Sequence, residues 1–351
     1  MAAAAPDSAL TCFGVGGSAP RAYYVQPTGH IFELSWETDG WYFTDLTAKS
    51  GAAPAPTGTA LTCFGVGGTD SRVYYMDSSG HVNELAWVGA WSSTDVTAKA
   101  GAPPGAPASA LTCFGVGTSA SRVYYLEPNG HVVELAWMGK WRYSDVTTLA
   151  GAASAAPGSA LACFAANGSV SRIYYLDTSG HVHELAWVNG WRTADITAMA
   201  KASPAIAGSA LACFGFGIGA DNARVYYLQA NGHVNELAWL GEWVANDVTP
   251  QAGANPAALR SALCCFGAGG TGTRLYYLQD NNHVFELAWL SGIGWVSTDV
   301  TLQAGAAPAS STTPLTCFGA GGSDAPVYCL DANDQVLTLT WVGRWAASIL
   351  S

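Results

Sequence analysis

Six arginines and six glutamates of this chain keep step with one another, out of only ten arginines and nine glutamates in 351 residues. Arg21, Arg72, Arg122, Arg172, Arg224 and Arg274 are each followed twelve residues later by Glu33, Glu84, Glu134, Glu184, Glu236 and Glu286. Across a hairpin that offset brings the two side chains onto neighbouring strands. Two readings are open. The pair is either a half-buried strut between strands, which an apolar pair of similar volume would replace at little cost, or a polar clamp for a ligand. A clamp of this kind suits a pyranose. Hydrogen bonds from charged groups to hydroxyls contribute about 1.5–3 kcal/mol each, and a neighbouring aromatic ring covers the apolar C–H face.

The aromatic rings come at the same cadence. All 14 tryptophans fall two to a copy. Trp36, Trp87, Trp137, Trp187, Trp239, Trp289 and Trp341 close one apolar phrase, and Trp41, Trp91, Trp141, Trp191, Trp243, Trp295 and Trp345 open the next. One ring of each pair is expected to pack between copies, which leaves the other for a ligand. A seventh copy keeps both tryptophans but loses the charges together: Pro326 stands for Arg, Thr338 for Glu, and Gln335 for the His of the other copies.

The elements that carry these residues repeat as well. The phrase A-L-T-C-F-G and its variants recur around residues 10, 61, 111, 161, 211, 263 and 315, a period of about 50. In the third copy SRVYYL (121–126), HVVELAW (131–137) and WRYSDVT (141–147) follow in order, before an Ala/Gly/Pro-rich linker. Each phrase is short, β-branched and aromatic, and bounded by turn residues, as a strand should be. Asp77-Ser78-Ser79-Gly80 and Glu127-Pro128-Asn129-Gly130 place glycine where a hairpin needs positive φ. Four strands per copy is the blade of a propeller, and no polar caps of the kind a solenoid needs are visible. The pattern predicts an all-β, seven-bladed β-propeller with four short antiparallel strands per blade. It forms one domain over 1–351, with repeats at about 8–58, 59–108, 109–158, 159–208, 209–260, 261–312 and 313–351.

Composition removes several functions. Only 11% of residues are charged, the net charge is −11, and there are four lysines, so no basic stripe exists for nucleic acid. No apolar run approaches the ~20 residues of a membrane span, so membrane insertion is not expected. The first ten residues, MAAAAPDSAL, lack a basic start and a long apolar stretch. Localisation is left open by this, with a cytoplasmic protein or one released by a non-classical route as the expectations. Seven of the nine cysteines occupy one position per repeat (Cys12, Cys63, Cys113, Cys163, Cys213, Cys265 and Cys317), with Cys264 and Cys329 as extras. They read as small buried hydrophobes about one blade apart, too far for disulfides, and without C-x-x-C no structural zinc is expected. Catalysis is not expected either. His81 and Glu84 are three apart, which on a strand puts them on opposite faces, and no H-E-x-x-H, G-x-S-x-G or P-loop occurs. The recurring histidines read as turn-flanking structural residues, and His183, without counterpart, as a surface substitution. Asp331-Ala332-Asn333-Asp334 stands alone, which gives no reason to expect calcium. No cofactor is implied.

The string R-V-Y-Y, a turn, G-H-V-x-E-L and G-x-W resembles the fungal fucose-specific lectins and the bacterial seven-bladed propeller lectins related to them. The 12-residue Arg-to-Glu spacing is the most specific element, the linker D-V-T-A-x-A-G-A-P-P is similar to that of the bacterial members, and the resemblance runs through all seven copies. It implies a sugar held between adjacent blades by Arg and Glu of one and an aromatic residue of the next. In these positions Arg21 and Glu33 would pair with Trp91, Arg72 and Glu84 with Trp141, and Arg122 and Glu134 with Trp191. Arg172 and Glu184 would pair with Trp243, Arg224 and Glu236 with Trp295, and Arg274 and Glu286 with Trp345. Up to six sites follow, and the gap between repeats 7 and 1 should be dead despite Trp41. The residue three after each Glu, near the pocket in fungal members, is Trp in every copy with a clamp, which would reshape the pocket. The implied protein is a multivalent, agglutinating lectin without chemistry. Its partners are glycans on cell surfaces or glycoproteins, and association of rings into homo-oligomers is left open. The alternative is a protein-interaction scaffold. Such platforms diverge from blade to blade, whereas here the clamp stays constant and the residue before Glu varies (Phe32, Asn83, Val133, His183, Asn235, Phe285).

Overall fold

A computed structural model describes residues 3–15, 19–66, 70–116, 120–166, 170–215, 222–268, 272–319 and 326–350. Blade 1 consists of β1 (Leu10–Val15), β2 (Ala19–Val25), β3 (Ile31–Glu37) and β4 (Gly40–Asp45), each antiparallel to the next. Six further four-stranded sheets repeat the pattern in chain order, so the molecule is a seven-bladed β-propeller. The fourth strand of every repeat stays in its own blade, a point the sequence left undecided. The β2–β3 turns have the expected geometry, with Gly80 and Gly130 at φ 79.

Period-two alternation buries both faces of each blade. In blade 2, Tyr74 and Met76 pack toward Leu111, Val123 and Tyr125 of blade 3. The intervening Val73 and Tyr75 pack toward Phe13 and Tyr23 of blade 1. The core is therefore a ring of seven apolar seams, one between each pair of blades.

Near the axis the innermost strands touch directly. The ring of Phe13 lies where a Cβ on Gly65 would be 2.6 Å away, so a small residue is needed for that approach. The recurring cysteines form no disulfides. They are more than filler, because the thiols of Cys63, Cys113 and Cys163 are hydrogen-bonded at 3.1–3.2 Å to Thr11, Thr62 and Thr112 of the preceding blade. Burial pushes the Cys163 thiol up to about 12, which keeps it protonated. The same bond, Cys12 to Thr316 at 3.2 Å, crosses the ring closure. There the segment before β1 also bridges blades, with Ala4 N–H donating to Asp334 O and Ala5 N–H to Val25 O, both at 2.8 Å. Closure thus comes from packing and this strap, not from strand exchange.

Each blade hands over to the next through a short helix, α1 (Leu46–Ser50) in blade 1, and an aspartate holds the joint. Asp95, at the equivalent place in blade 2, accepts Ala98 N–H at 2.8 Å through one oxygen and bonds His81 Nδ1 at 2.8 Å through the other. Thr97 Oγ1 accepts Val82 N–H at 2.8 Å. All six recurring histidines make this bond to their aspartate at 2.7–2.8 Å. His183 corrects an expectation. It is not a surface substitution but a buried ring stacked on Tyr175 at 5.4 Å, with Nε2 3.0 Å from Asp177. The strand alternates into a seam at that position, and the Asp177 carboxylate satisfies the imidazole there. Replacing Asp95 with Ala removes a helix cap and the His81 bond together. It should cost about 1–2 kcal/mol in thermal or denaturant unfolding, while leaving ligand binding unchanged.

Candidate functional site

The seams open outward into clefts, and strand register decides what lines them. In blade 2, Tyr74 lies directly opposite Glu84 and Arg72 opposite Ala86. Arg72 and Tyr74 are two apart, as are Glu84 and Ala86, so all four share one face. Arg72 reaches Glu84 along the diagonal, which is the physical content of the 12-residue offset. Trp87, three beyond Glu84, is turned to the other face, with Trp91 directly opposite it. Blades 1 to 6 therefore each present an Arg–Tyr–Glu face to the next blade, and a blade's tryptophan pair faces the previous one.

The six Arg–Glu pairs form, as the twelve-residue offset predicted. Arg21–Glu33, Arg72–Glu84 and Arg122–Glu134 are separated by 3.2, 3.7 and 3.5 Å. Arg172–Glu184, Arg224–Glu236 and Arg274–Glu286 are separated by 3.1, 3.6 and 3.5 Å. The side chains are mostly but not wholly covered, with arginine exposures of 13–19%.

Behind each glutamate stands a residue that sequence reasoning missed. Tyr23, Tyr74, Tyr124, Tyr174, Tyr226 and Tyr276 donate to the carboxylate at 2.6–2.8 Å. Their spacing two after Arg was a usable signal, but Y-Y reads first as core. The phenolic oxygen of Tyr124 also lies 2.9 Å from Ser171 Oγ of the next blade, tying the clamp to the seam. In blade 5, Asn246 adds a donor to Glu236 at 3.0 Å. Burial raises the carboxyl pKa of Glu33, Glu84, Glu134, Glu184 and Glu286 above the ordinary value. The arginine and tyrosine beside each one only partly offset that rise.

The tryptophans complete the walls from the next blade. A cleft of about 940 Å³ is lined by Arg21, Glu33, Trp87 and Trp91, and one of about 560 Å³ by Arg72, Glu84, Trp137 and Trp141. Trp141, Trp243, Trp295 and Trp345 stand edge-on to Tyr74, Tyr174, Tyr226 and Tyr276 of the preceding blade at 6.3–6.4 Å. Trp191 shares the seam of Tyr124. The second tryptophan of each pair is thus largely seam, and the first adds the more open ring, with Trp187 43% and Trp289 36% exposed. The tryptophan three after each Glu walls the neighbouring cleft rather than its own.

The seventh seam is built differently. Tyr328 faces Thr338, which bonds Thr340 at 3.1 Å instead, and the buried Tyr328 hydroxyl has no partner among the described residues.

Comparison with known proteins places this arrangement. No curated protein sequence matches the chain. Among solved structures, the BP39L lectin from Burkholderia pseudomallei superposes with a TM-score of 0.70 at 15% identity, over 98% of this chain and 99% of that one. The Aleuria aurantia lectin, a six-bladed propeller, gives 0.62 at 21% identity, over 85% of this chain and 96% of its own. AofleA from Arthrobotrys oligospora gives 0.56 at 20% identity, over 84% and 86%. At these identities the likeness is one of fold. The sequence model of the fungal fucose-specific lectins matches residues 1–258, most of the repeats and five of the six Arg–Glu pairs, and the chain belongs to that family.

Proposed function

We propose that this protein is a multivalent lectin whose six clefts each bind one terminal L-fucose or a similar sugar without making or breaking bonds. The observation that carries the reading is the convergence of an accessible Arg–Glu pair and a tryptophan pair from the next blade in one cleft. The Aleuria aurantia lectin and SapL1 are known in complex with α-methyl fucosides, which supports the choice of sugar.

In this reading the tyrosine bond holds one carboxylate oxygen, and the other accepts a sugar hydroxyl. The guanidinium donates to sugar oxygens, and the tryptophans cover the C–H face and the methyl group. Pre-positioning by the seam means that little side-chain freedom is lost on binding. Each site would be weak alone. Engaging several glycans on one surface raises avidity by roughly 10²–10⁴ and would cross-link cells.

Titration calorimetry with methyl α-L-fucoside should find about six sites per chain, a number set by the six clamps. Arg72→Ala should remove one site of the six while the protein still folds, with a lowered unfolding temperature because the half-buried Glu84 loses its cation. Unchanged stoichiometry with a markedly lower unfolding temperature would make the pair a strut instead.

The raised glutamates set a pH window. A folded-state carboxyl pKa above the unfolded value means that the native state takes up protons first, so acid does not destabilise the fold through these groups. Binding needs the carboxylate and should fall as pH drops through a midpoint above the usual 4.5. The fold itself loses support only at lower pH, from aspartates held down. For Asp177, burial pushes upward, but the bonds from Ser179 and His183 prevail and keep it at about 2. Parallel binding and unfolding measurements from pH 7 to 4 should therefore separate: binding is lost while the protein stays folded.

A further inference from the structure

The six clamps are alike, but their rims differ in charge. The rim positions follow from register. In blade 3, Ala136 shares the face of Glu134, and its partner on the outermost strand is Arg142. Arg192 stands opposite Ala186 in blade 4 in the same way, beside Glu184. The corresponding residues of blades 1 and 2, Tyr42 and Ser92, line the two clefts described above, which puts both arginines at the mouths of their own clefts. Arg142 and Arg192 are exposed, and neither makes an ion pair among the described residues.

Blade 1 is the opposite case. Where later blades put an exposed aliphatic residue at the hairpin tip (Val88, Met138, Val188, Leu240), its tip carries Glu37 and Asp39, and both line the cleft. The Tyr42 hydroxyl donates to Asp39 at 2.9 Å, and Glu37 lies 3.9 Å from Arg21. An anion next to a bound sugar would meet two carboxylates beside the Lys49 ammonium there, the Lys99 ammonium in blade 2, and in blades 3 and 4 an unpaired guanidinium, whose planar fork fits an oxyanion where a lysine offers only a point charge.

We propose that Arg142 and Arg192 make the clefts of blades 3 and 4 selective for fucosylated saccharides carrying a carboxylate or sulfate on a neighbouring sugar, while Glu37 and Asp39 keep such saccharides out of the blade 1 cleft. This rests on the lectin reading above and adds to it a division of labour among the sites. The guanidinium suits either anion, because its planar fork matches both carboxylate and sulfate oxygens.

The test is calorimetric titration of the full chain with four probes: methyl α-L-fucoside, the neutral Lewis x trisaccharide, and its sialylated and 6-sulfated derivatives. At low salt the acidic probes should bind two sites about two- to fivefold more tightly than the neutral one, the span of a solvent-exposed ion pair. The advantage should shrink as salt rises. Two arms, sialylated and sulfated, tell which anion is preferred. The Arg142→Ala/Arg192→Ala variant should abolish the preference and keep the wild-type methyl fucoside isotherm. Glu37→Gln/Asp39→Asn should admit acidic probes to one more site. Equal affinity for acidic and neutral probes in the wild type, or a preference that survives removal of both arginines, overturns the proposal and leaves the lectin reading intact. Failure of methyl α-L-fucoside itself to bind overturns both.

Discussion

Everything in this molecule depends on the strand's period of two under the demand that both faces be buried. A blade is enclosed on each side by another blade, so odd and even residues alike must suit a dry seam. That is why Tyr74 and Tyr75 follow one another without a break and why both are fully buried. It is also why charge is rare in the chain and why the charges that enter the seams are paired. A lone guanidinium or carboxylate in a seam would cost several kcal/mol. Placed at the seam's outer edge, the same groups keep partial access to water and to ligand.

The clamp is best understood as a compromise at that edge. Arg and Glu neutralise one another, and the tyrosine hydroxyl settles a further carboxylate lone pair. Even so, burial leaves the carboxyl easier to protonate than usual. A site of this kind is poised, since its groups are desolvated enough to bond strongly and are held in place before any ligand arrives. Blade 7 shows what happens when the charges go. With Pro326 and Thr338 in place of Arg and Glu, the buried Tyr328 hydroxyl has no acceptor among the described residues, a local loss that the ring tolerates once.

Much of this was legible in the chain. The repeat length, the four phrases per copy and the turn glycines led to seven four-stranded blades, because each rests on local backbone preference. The Arg–Glu pairing was legible because a hairpin turns a fixed offset into a diagonal contact. The role of Tyr74 and its equivalents was harder to see, since a tyrosine in an apolar run is ordinarily core and its hydroxyl partner depends on register. His183 misled for a related reason. An imidazole with no counterpart looks like surface drift until the strand's phase places it in a seam beside Asp177.

By itself the sequence determined the architecture and the six Arg–Glu pairs, since these follow from periodicity and from offsets within one hairpin. Only the tertiary structure decided which cleft the first tryptophan of each pair serves. Trp87 is three residues from Glu84, yet it serves the cleft of Arg21, because an odd offset turns a side chain away from its neighbour toward the adjacent blade. The structure likewise decided that each fourth strand stays at home and that the ring closes through Ala4, Ala5 and the Cys12–Thr316 contact. The closure contacts, such as Cys12 with Thr316, join residues far apart in the chain, and no local spacing encodes them.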